Sequence, residues 1–199
     1  MIIGITGKIG SGKSTTATYL QEKYNYTEYS FASPLKEIGS IFQFTQDQLY
    51  GTQENKLEVH PHWGISSRTF LQRMGTEMFR EYFPKVFPEI KLNHSIWIEL
   101  FRLKYISNPK NYVISDVRFL DEANAIKEMG GVIIRTIRNN NVSSDSKQEH
   151  LHASETELER IVSDFTLDNN ESITASQLNL DKIVSSLSFH RKNNNENQA

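Results

Sequence analysis

The chain has 199 residues and a formal net charge of −2, with 37% hydrophobic and 23% charged residues and no cysteine. This length buries one sizeable core, the charge balance argues against a protein that neutralises a nucleic-acid backbone, and disulfides and thiolate metal sites are excluded. No apolar run approaches the ~20 residues of a membrane span. The sequence therefore predicts a cytoplasmic protein whose partner is a small molecule, with no nucleic acid and no membrane among its partners, and it leaves a homodimer open.

The predicted elements alternate between strands and helices. Apolar runs predict five strands, at 2–6, 27–32, 111–119, 130–137 and 163–170. Apolar residues at helical spacing follow each of the first three strands, a polar loop follows the fourth, and a last helix is predicted at 178–187 after the fifth. This alternation indicates an α/β fold with a parallel sheet and helices on both faces, in one domain over 1–189 with its core in 1–43 and 111–189. Residues 190–199 have nothing to bury and are expected to form a disordered tail.

The stretch GITGKIGSGKST, residues 4–15, lies between the first strand and the first helix. It matches G-x-x-x-x-G-K-[ST], in which glycines turn backbone N–H groups inward and the helix N-terminus favours phosphate. The pattern predicts that Lys13 reaches the β and γ phosphates of ATP and that Ser14 ligates Mg²⁺. The predicted donor contacts are Gly7, Gly10, Ser11, Gly12, Lys13, Ser14 and Thr15. The alternatives are a flexible glycine turn and a dinucleotide loop, and Thr15 stands where the latter needs its third glycine.

A helix is predicted over residues 66–80, SSRTFLQRMGTEMFR, with two distinct faces at 100° per residue. One face carries Phe70, Leu71, Met74 and Met78, and the other carries Arg68, Gln72, Gly75 and Thr76. A glycine inside a helix costs about 1 kcal/mol relative to alanine, so Gly75 suggests the close approach of a ligand. The alternative is an ordinary solvated face.

The segment SDVRFLDE, residues 115–122, overlaps the end of the third predicted strand, whose apolar run stops at Asp116. Asp116 closes that strand at its carboxyl end, where α/β sheets bind ligands, and is a candidate for holding Mg²⁺ or facing the acceptor group. Arg118 is placed to neutralise phosphoryl oxygens, and Glu122 either fixes Arg118 or touches a sugar. A surface Asp–Arg pair at a strand end is the alternative.

Three further candidates each have more than one interpretation, and for Lys36 an exposed helix lysine is the safer one. Arg138, at the end of the fourth strand, stacks on adenine, reaches phosphate, or lies in solvent. Lys36 approaches an acceptor phosphate or is an exposed helix lysine, and Trp97 stacks on a base or belongs to the core. A GTPase switch is disfavoured, because the string nearest to its base-reading motif, residues 55–58, ends in glutamate.

The motifs GKIGSGKST, FASPLKE, RTFLQRMGTE, ISDVRFLDEANAIKEMGG and LHASETE, together with Trp97, occur in the order seen in bacteriophage deoxynucleoside monophosphate kinases, which the chain resembles over residues 1–185. The resemblance implies a five-stranded P-loop kinase core, a helical acceptor-binding insertion at 44–110 and a lid at 139–155. It implies that ATP phosphorylates a deoxynucleoside 5′-monophosphate. The acceptor-site positions it implies are Arg68, Gln72, Gly75, Thr76, Trp97, Asp116, Arg118 and Glu122.

The predicted mechanism is in-line transfer without a covalent intermediate, because the acceptor phosphate is already an anionic nucleophile. The predicted catalytic residues are Lys13, Arg68, Asp116 and Arg118. Other hypotheses remain: a kinase of dephospho-coenzyme A or phosphomevalonate, a non-catalytic ATP-binding regulatory module, and a nucleic-acid-associated ATPase, which the charge balance disfavours.

Overall fold

The computed structural model describes residues 1–139 and 157–196. The chain divides into two compact units. The sheet unit comprises Met1–Tyr29 and the residues from Lys110 onward, and the helical unit comprises Ser30–Pro109. No helix within the two described ranges is both long enough and apolar enough to cross a membrane.

A single sheet of five strands forms the centre of the sheet unit. The strands are β1 (Ile2–Thr6), β2 (Thr27–Tyr29), β3 (Tyr112–Ile114), β4 (Val132–Ile137) and β5 (Phe165–Asp168). Their order is β2-β3-β1-β4-β5, and every pairing is parallel. The five predicted strands and the parallel sheet are confirmed. Because β1 is the central strand, the loop that follows it emerges at the carboxyl edge between the ends of β3 and β4.

Nine α-helices lie in the described residues. They are α1 (Lys13–Tyr24), α2 (Ser33–Ile41), α3 (Gln46–Tyr50), α4 (Gln53–Leu57), α5 (Ser67–Arg73), α6 (Phe83–Val86), α7 (Ile96–Ser107), α8 (Leu120–Glu128) and α9 (Ile173–Glu196). A π-helix spans Met74–Tyr82, and a 3₁₀-helix spans Leu158–Arg160. Helices α1, α8 and α9 belong to the sheet unit, and α2 to α7 belong to the helical unit.

The sheet carries helices on both faces, as predicted. Side chains alternate along β1, so Ile5 packs with Leu20 of α1 and Leu180 of α9 in one buried cluster. Gly4 faces the other side, where an added Cβ would lie 2.8 Å from Cδ1 of Ile126 on α8. Glycine at position 4 therefore lets α8 pack closely on the sheet.

A polar cluster joins α1 to α9 at the surface. The Asp181 carboxylate accepts hydrogen bonds from Lys23 Nζ (2.7 Å), Tyr24 Oη (2.7 Å) and Tyr19 Oη (3.0 Å). The bond from Lys23, followed by that from Tyr24, lowers the pKa of Asp181. Burial and the bond to Asp181 raise the pKa of Tyr24 to about 12. Together these bonds hold the first and last helices of the unit against each other.

The end of the chain differs from the prediction. Helix α9 continues to Glu196, so residues 190–196 are helical and the expected disordered tail is wrong for them. Once a helix is established, each added residue gains a hydrogen bond at little further cost, so a polar segment can extend it without burying anything. Residues 197–199, and the predicted lid apart from Asn139, lie outside the described residues.

The helical unit begins at Ser30, earlier than the insertion boundary expected at residue 44. Its core contains Phe44, Leu49 and Phe70. Helix α2 packs closely on this core: a Cβ added at its Gly39 would lie only 2.8 Å from Leu49 Cδ2. The expected boundary at residue 44 assigned α2 to the core, whereas α2 packs against residues of the helical unit.

The single helix predicted over 66–80 is two helices of different pitch. Helix α5 ends at Arg73, and the π-helix continues from Met74. A π-helix closes i→i+5 hydrogen bonds and has more residues per turn than an α-helix, so a 100° wheel is wrong beyond Arg73. Met78, which the wheel assigns to the apolar face, is 47% exposed.

Candidate active site

The backbone of the loop between β1 and α1 adopts φ angles that favour glycine. Gly7 and Gly12 have φ values of +145° and +95°, in the region that favours glycine. A Cβ at Gly7 would lie 2.5 Å from the backbone oxygen of Thr136 on β4. Gly12 immediately precedes α1. The predicted phosphate loop therefore has the strand–loop–helix setting that such a loop requires.

Lys13 reaches back across this loop. Its Nζ donates hydrogen bonds to the backbone oxygens of Gly7 (2.7 Å) and Lys8 (2.8 Å). Burial, followed by the positive charge of Arg118, lowers the pKa of Lys13 to about 8, and Asp116 partly opposes this shift. The sheet unit thus holds a partly desolvated ammonium group within the field of both Asp116 and Arg118, and an anionic phosphate would relieve its electrostatic cost.

We expect Lys13→Met to stabilise the protein without nucleotide. The folded pKa of about 8 lies below the ordinary lysine value of 10.5, so the charged lysine costs folding free energy below pH 8. Between pH 8 and 10.5 the folded protein has already lost this proton, and the cost fades as pH rises. Thermal unfolding at pH 7 and pH 10 should show a gain for Lys13→Met over wild type that is larger at pH 7. A variant less stable than wild type at pH 7 would contradict this account.

The turn after β3 holds Arg118 through Glu122. The Glu122 side chain is 3% exposed, and its Oε2 accepts the backbone N–H groups of Arg118 (2.9 Å) and Phe119 (3.1 Å). Glu122 therefore holds the backbone that carries Arg118, and its predicted contact with a sugar stays a prediction. A third N–H at the start of α8, that of Leu120, donates to Glu157 Oε2 at 3.2 Å.

Glu122→Ala should lower stability, because it leaves two partly buried N–H donors without their acceptor. The expected loss is about 1–3 kcal/mol in the free energy of unfolding, measured by denaturant titration. Glu122→Gln keeps an acceptor oxygen and should lose less. Glu128→Ala, at an exposed position of the same helix, serves as the control and should stay within about 0.5 kcal/mol of wild type. Equal losses for Glu122→Ala and Glu128→Ala would contradict the assigned role.

An open pocket lies beside the phosphate loop in the sheet unit. The predicted residues Thr15 and Arg138 line it. Arg135, which lies within β4, donates instead to the backbone oxygens of Leu158 (3.1 Å) and Ile161 (2.5 Å). The sequence analysis missed the remaining polar lining residues, which are Thr16, Tyr19, Asn169, Glu171, Ser176 and Gln177.

One signal could have found part of this pocket. Asn169 directly follows β5, and the carboxyl ends of parallel strands are where such sheets bind ligands. The same rule drew attention to Asp116 after β3. Glu171, Ser176 and Gln177 have no such signal, because only the packing of α9 brings them to the pocket.

Within the helical unit, the predicted polar residues have varied surroundings. Nη1 of Arg68 donates to Gln53 Oε1 at 2.8 Å, so a side chain that the sequence analysis missed orients this guanidinium. Gln72 and Thr76 are half-buried. Nζ of Lys36 lies 4.3 Å from the centre of the Tyr50 ring, which is a cation–π contact.

Gly75 and Trp97 contact each other inside the helical unit. A Cβ at Gly75 would lie 2.8 Å from Leu35 Cδ2, so the close approach that this glycine permits is that of α2. Trp97 is 5% exposed, and its Nε1 donates to the Gly75 backbone oxygen at 3.0 Å. Its ring centre lies 5.1 Å from that of Phe79. These contacts favour the core interpretation of Trp97 over stacking on a base.

The oxygen atoms of Ser14 and Asp116 suit a hard divalent cation. Ser14 is exposed in the first turn of α1, and Asp116 is half-buried after β3. In the part of the chain that the structure describes, no cluster of three or more His, Asp or Glu side chains could hold a metal ion. Mg²⁺ needs no such cluster, since it keeps several waters and binds through one or two protein oxygens plus substrate phosphates. The two residues therefore fit an ion that arrives with a nucleotide.

Comparison with known proteins agrees with this geometry. Residues 41–179 match the family model described as deoxynucleotide monophosphate kinase. A protein of Acanthamoeba polyphaga mimivirus that carries this name provisionally is 41% identical over 181 residues, which cover 87% of this chain and 90% of the relative. The chain belongs to the deoxynucleotide monophosphate kinase family. The resemblance predicted from the motifs is confirmed.

Two further relatives are more distant. The deoxynucleotide monophosphate kinase of Escherichia phage RB69 is 25% identical over 174 residues, which are 85% of this chain and 64% of the phage protein. A solved structure, that of TT1252 from Thermus thermophilus, has a TM-score of 0.50 at 16% identity and covers 94% of this chain and 97% of its own. This last likeness concerns the fold alone.

Proposed function

We propose that the protein transfers the γ-phosphoryl group of ATP to a deoxynucleoside 5′-monophosphate, giving ADP and the deoxynucleoside diphosphate. One observation carries this proposal: Lys13 lies in the phosphate loop and interacts electrostatically with Asp116 and Arg118. The chain that carries these residues belongs to this kinase family. A phosphate loop alone indicates only a nucleoside triphosphate. The added Asp116–Arg118 turn supplies the charges that a second phosphate group needs.

The donor is assigned to the sheet unit. The loop from Gly7 to Gly12 turns its N–H groups toward the phosphates, and Lys13 leaves the carbonyl groups of Gly7 and Lys8 to bind them. The adenine ring occupies the pocket lined by Thr15 and Arg138. Mg²⁺, held by Ser14 and Asp116 with the donor phosphates, supplies neutralisation of phosphate charge when bound.

The acceptor is assigned to the polar residues of the helical unit and to the turn after β3. Arg68, oriented by Gln53, binds acceptor phosphate, and Gln72 and Thr76 contact the nucleoside. Gly75 and Trp97 shape this segment from the interior, Lys36 lies at its periphery, and Glu122 positions Arg118. Residues 44–110 as the acceptor-binding insertion and 139–155 as a lid stay predictions, as do a cytoplasmic location and a homodimer.

The chemistry that these residues support is alignment and neutralisation of charge. The acceptor phosphate is already a nucleophile, so no strong general base is needed. Lys13, Arg118 and Arg68 carry the positive charge for oxygens that become more negative during transfer.

The direct test is ADP formation from ATP with each deoxynucleoside and ribonucleoside monophosphate in turn, with dephospho-coenzyme A and phosphomevalonate in the same panel. We expect activity with one or more deoxynucleoside monophosphates. Activity with a non-nucleotide acceptor alone would assign another kinase function. ATP binding without ADP formation for any acceptor would favour the regulatory module.

A further inference from the structure

The phosphate loop is attached to the sheet through the side chain of Ser11. Ser11 is 3% exposed, and its Oγ lies 2.7 Å from Oγ1 of Thr136 on β4, which is 1% exposed. The Thr136 hydroxyl donates to the backbone oxygen of Thr6 at the end of β1, at 3.2 Å. A hydroxyl has one proton, so Thr136 accepts from Ser11 while it donates to Thr6. This directed chain connects the loop to both β4 and β1.

Asn169 holds the same loop residue from a second strand. Its Nδ2 donates to the backbone oxygen of Ser11 at 2.7 Å, and its own backbone N–H donates to the oxygen of Ile137 at 2.9 Å. The position of a Cβ at Gly12 is 2.5 Å from the same Nδ2, so the amide lies directly against the loop. Asn169 is therefore fixed to the sheet at one end and to the loop at the other.

We propose that Thr136 and Asn169 are positioning residues that hold Ser11, and through it the phosphate loop, in the shape that binds the donor phosphates. A ring of N–H groups binds phosphate well only if it is arranged in advance, because ordering it on binding costs affinity. Thr136 is buried behind the loop, so its influence on phosphate runs through Ser11. Asn169 also lines the neighbouring pocket, so it connects the base site to the phosphate site.

The decisive variant is Thr136→Val, which keeps the shape of the side chain and removes its hydroxyl. The Ser11 hydroxyl is then buried without an acceptor, and the loop must shift to bring it to water or to another partner. The probes are ATP and inorganic tripolyphosphate, which carries the phosphates without a base, both with Mg²⁺ and measured by calorimetry. We expect both dissociation constants to rise on the order of tenfold and by the same factor, and Thr136→Ser to restore them.

Thr6→Val is a matched control for this variant. Thr6 is 0% exposed and also at the end of a strand beside the loop, and its Oγ1 has no hydrogen-bond partner among the described residues. The same change of threonine to valine should therefore leave both dissociation constants within about twofold of wild type. If Thr6→Val weakens binding as much as Thr136→Val, the effect is general to this region and the inference is overturned.

A double variant separates the orphaned hydroxyl from other effects. Ser11→Ala removes the hydroxyl that Thr136→Val would leave without a partner. The double variant should therefore bind tripolyphosphate more tightly than Thr136→Val alone. If the dissociation constant of the double variant rises by the product of the factors measured for the two single variants, the two hydroxyls are not coupled and the inference is overturned.

Asn169→Ala tests the second attachment and keeps the inference testable if Thr136→Val does not fold. It should weaken the binding of both probes, and of ATP by the larger factor, because only ATP places a base in the pocket that Asn169 lines. In kinase assays the KM for ATP should rise while the KM for the acceptor stays constant. If both variants lower the melting temperature but change neither dissociation constant, the two residues are merely structural and the inference fails.

The inference rests on the proposed function only for the identity of the donor. Wild-type protein that binds ATP and tripolyphosphate but phosphorylates no acceptor in the panel would refute the proposed function. The binding constants of the variants would still decide the roles of Thr136 and Asn169.

Discussion

Lys13→Met is expected to lower the rate of phosphoryl transfer by about a thousandfold, in line with the loss of a group that neutralises charge in the transition state. The structure gives the reason, since Lys13 is the loop cation whose pKa is lowered by burial and by Arg118. The measurement is ADP formation at saturating ATP and acceptor. The loss must occur without unfolding, because removal of a desolvated charge should raise stability, and a melting curve on the same sample checks this.

Lys8→Met provides the matched control for this loss. Lys8 belongs to the same loop, but its side chain is 81% exposed and pairs with Glu159 at 3.1 Å. Exposed ion pairs contribute little, so the variant should fold normally and retain activity within about tenfold of wild type. Near-normal transfer by Lys13→Met, or equal losses in both variants, would refute the role assigned to Lys13.

Arg68→Ala is expected to reduce transfer to the acceptor by about a hundredfold while leaving the slow hydrolysis of ATP by water unchanged. Hydrolysis by water does not require Arg68 to position the nucleophile. In the transfer reaction, the substitution removes a charged hydrogen-bonding partner of the acceptor phosphate. The measurement compares ADP formation with and without deoxynucleoside monophosphate. Equal losses in the two reactions would show that Arg68 does not serve the acceptor.

Two companion variants sharpen the test of Arg68. Arg73→Ala removes an exposed arginine from the same helix, α5, and should change neither reaction. Gln53→Ala removes the amide oxygen to which Arg68 donates at 2.8 Å, so it should raise the KM for the acceptor by less than Arg68→Ala does. Gln53→Glu keeps an acceptor oxygen and should restore most of the loss.

Local sequence signals predicted the fold and the donor loop. Apolar runs such as Ile2–Thr6 identify buried strands, and the phosphate-loop pattern from Gly7 to Ser14 lies within eight consecutive residues. Asp116 was found for a related reason, because a strand end can be located from the chain alone. In these cases the physical cause and the sequence signal lie in the same short stretch.

Other features depend on contacts between distant residues and were missed. Asn169 meets Ser11, and Gln53 meets Arg68, through packing that no local pattern encodes. The π-helix at Met74–Tyr82 was also missed, since the prediction assumed 100° per residue over the whole of 66–80. The sequence analysis identified Gly75 as unusual and explained it by the close approach of a ligand. In the structure, the group that lies close to Gly75 is the side chain of Leu35.

The position of β1 at the centre of the sheet has a consequence for how the protein matures. Ile3 on this strand pairs with Val113 on one side and Val132 on the other, so both partners are made long after it during synthesis. Contacts of such large sequence separation form slowly, and until they do β1, whose five residues are all buried in the folded chain, is unpaired. The phosphate loop becomes attached to the sheet later still, because Thr136 and Asn169 are synthesised after Val113 and Val132. A nascent chain that stops before β4 should therefore be unable to bind nucleotide and should depend on chaperones, although its phosphate-loop sequence is already complete.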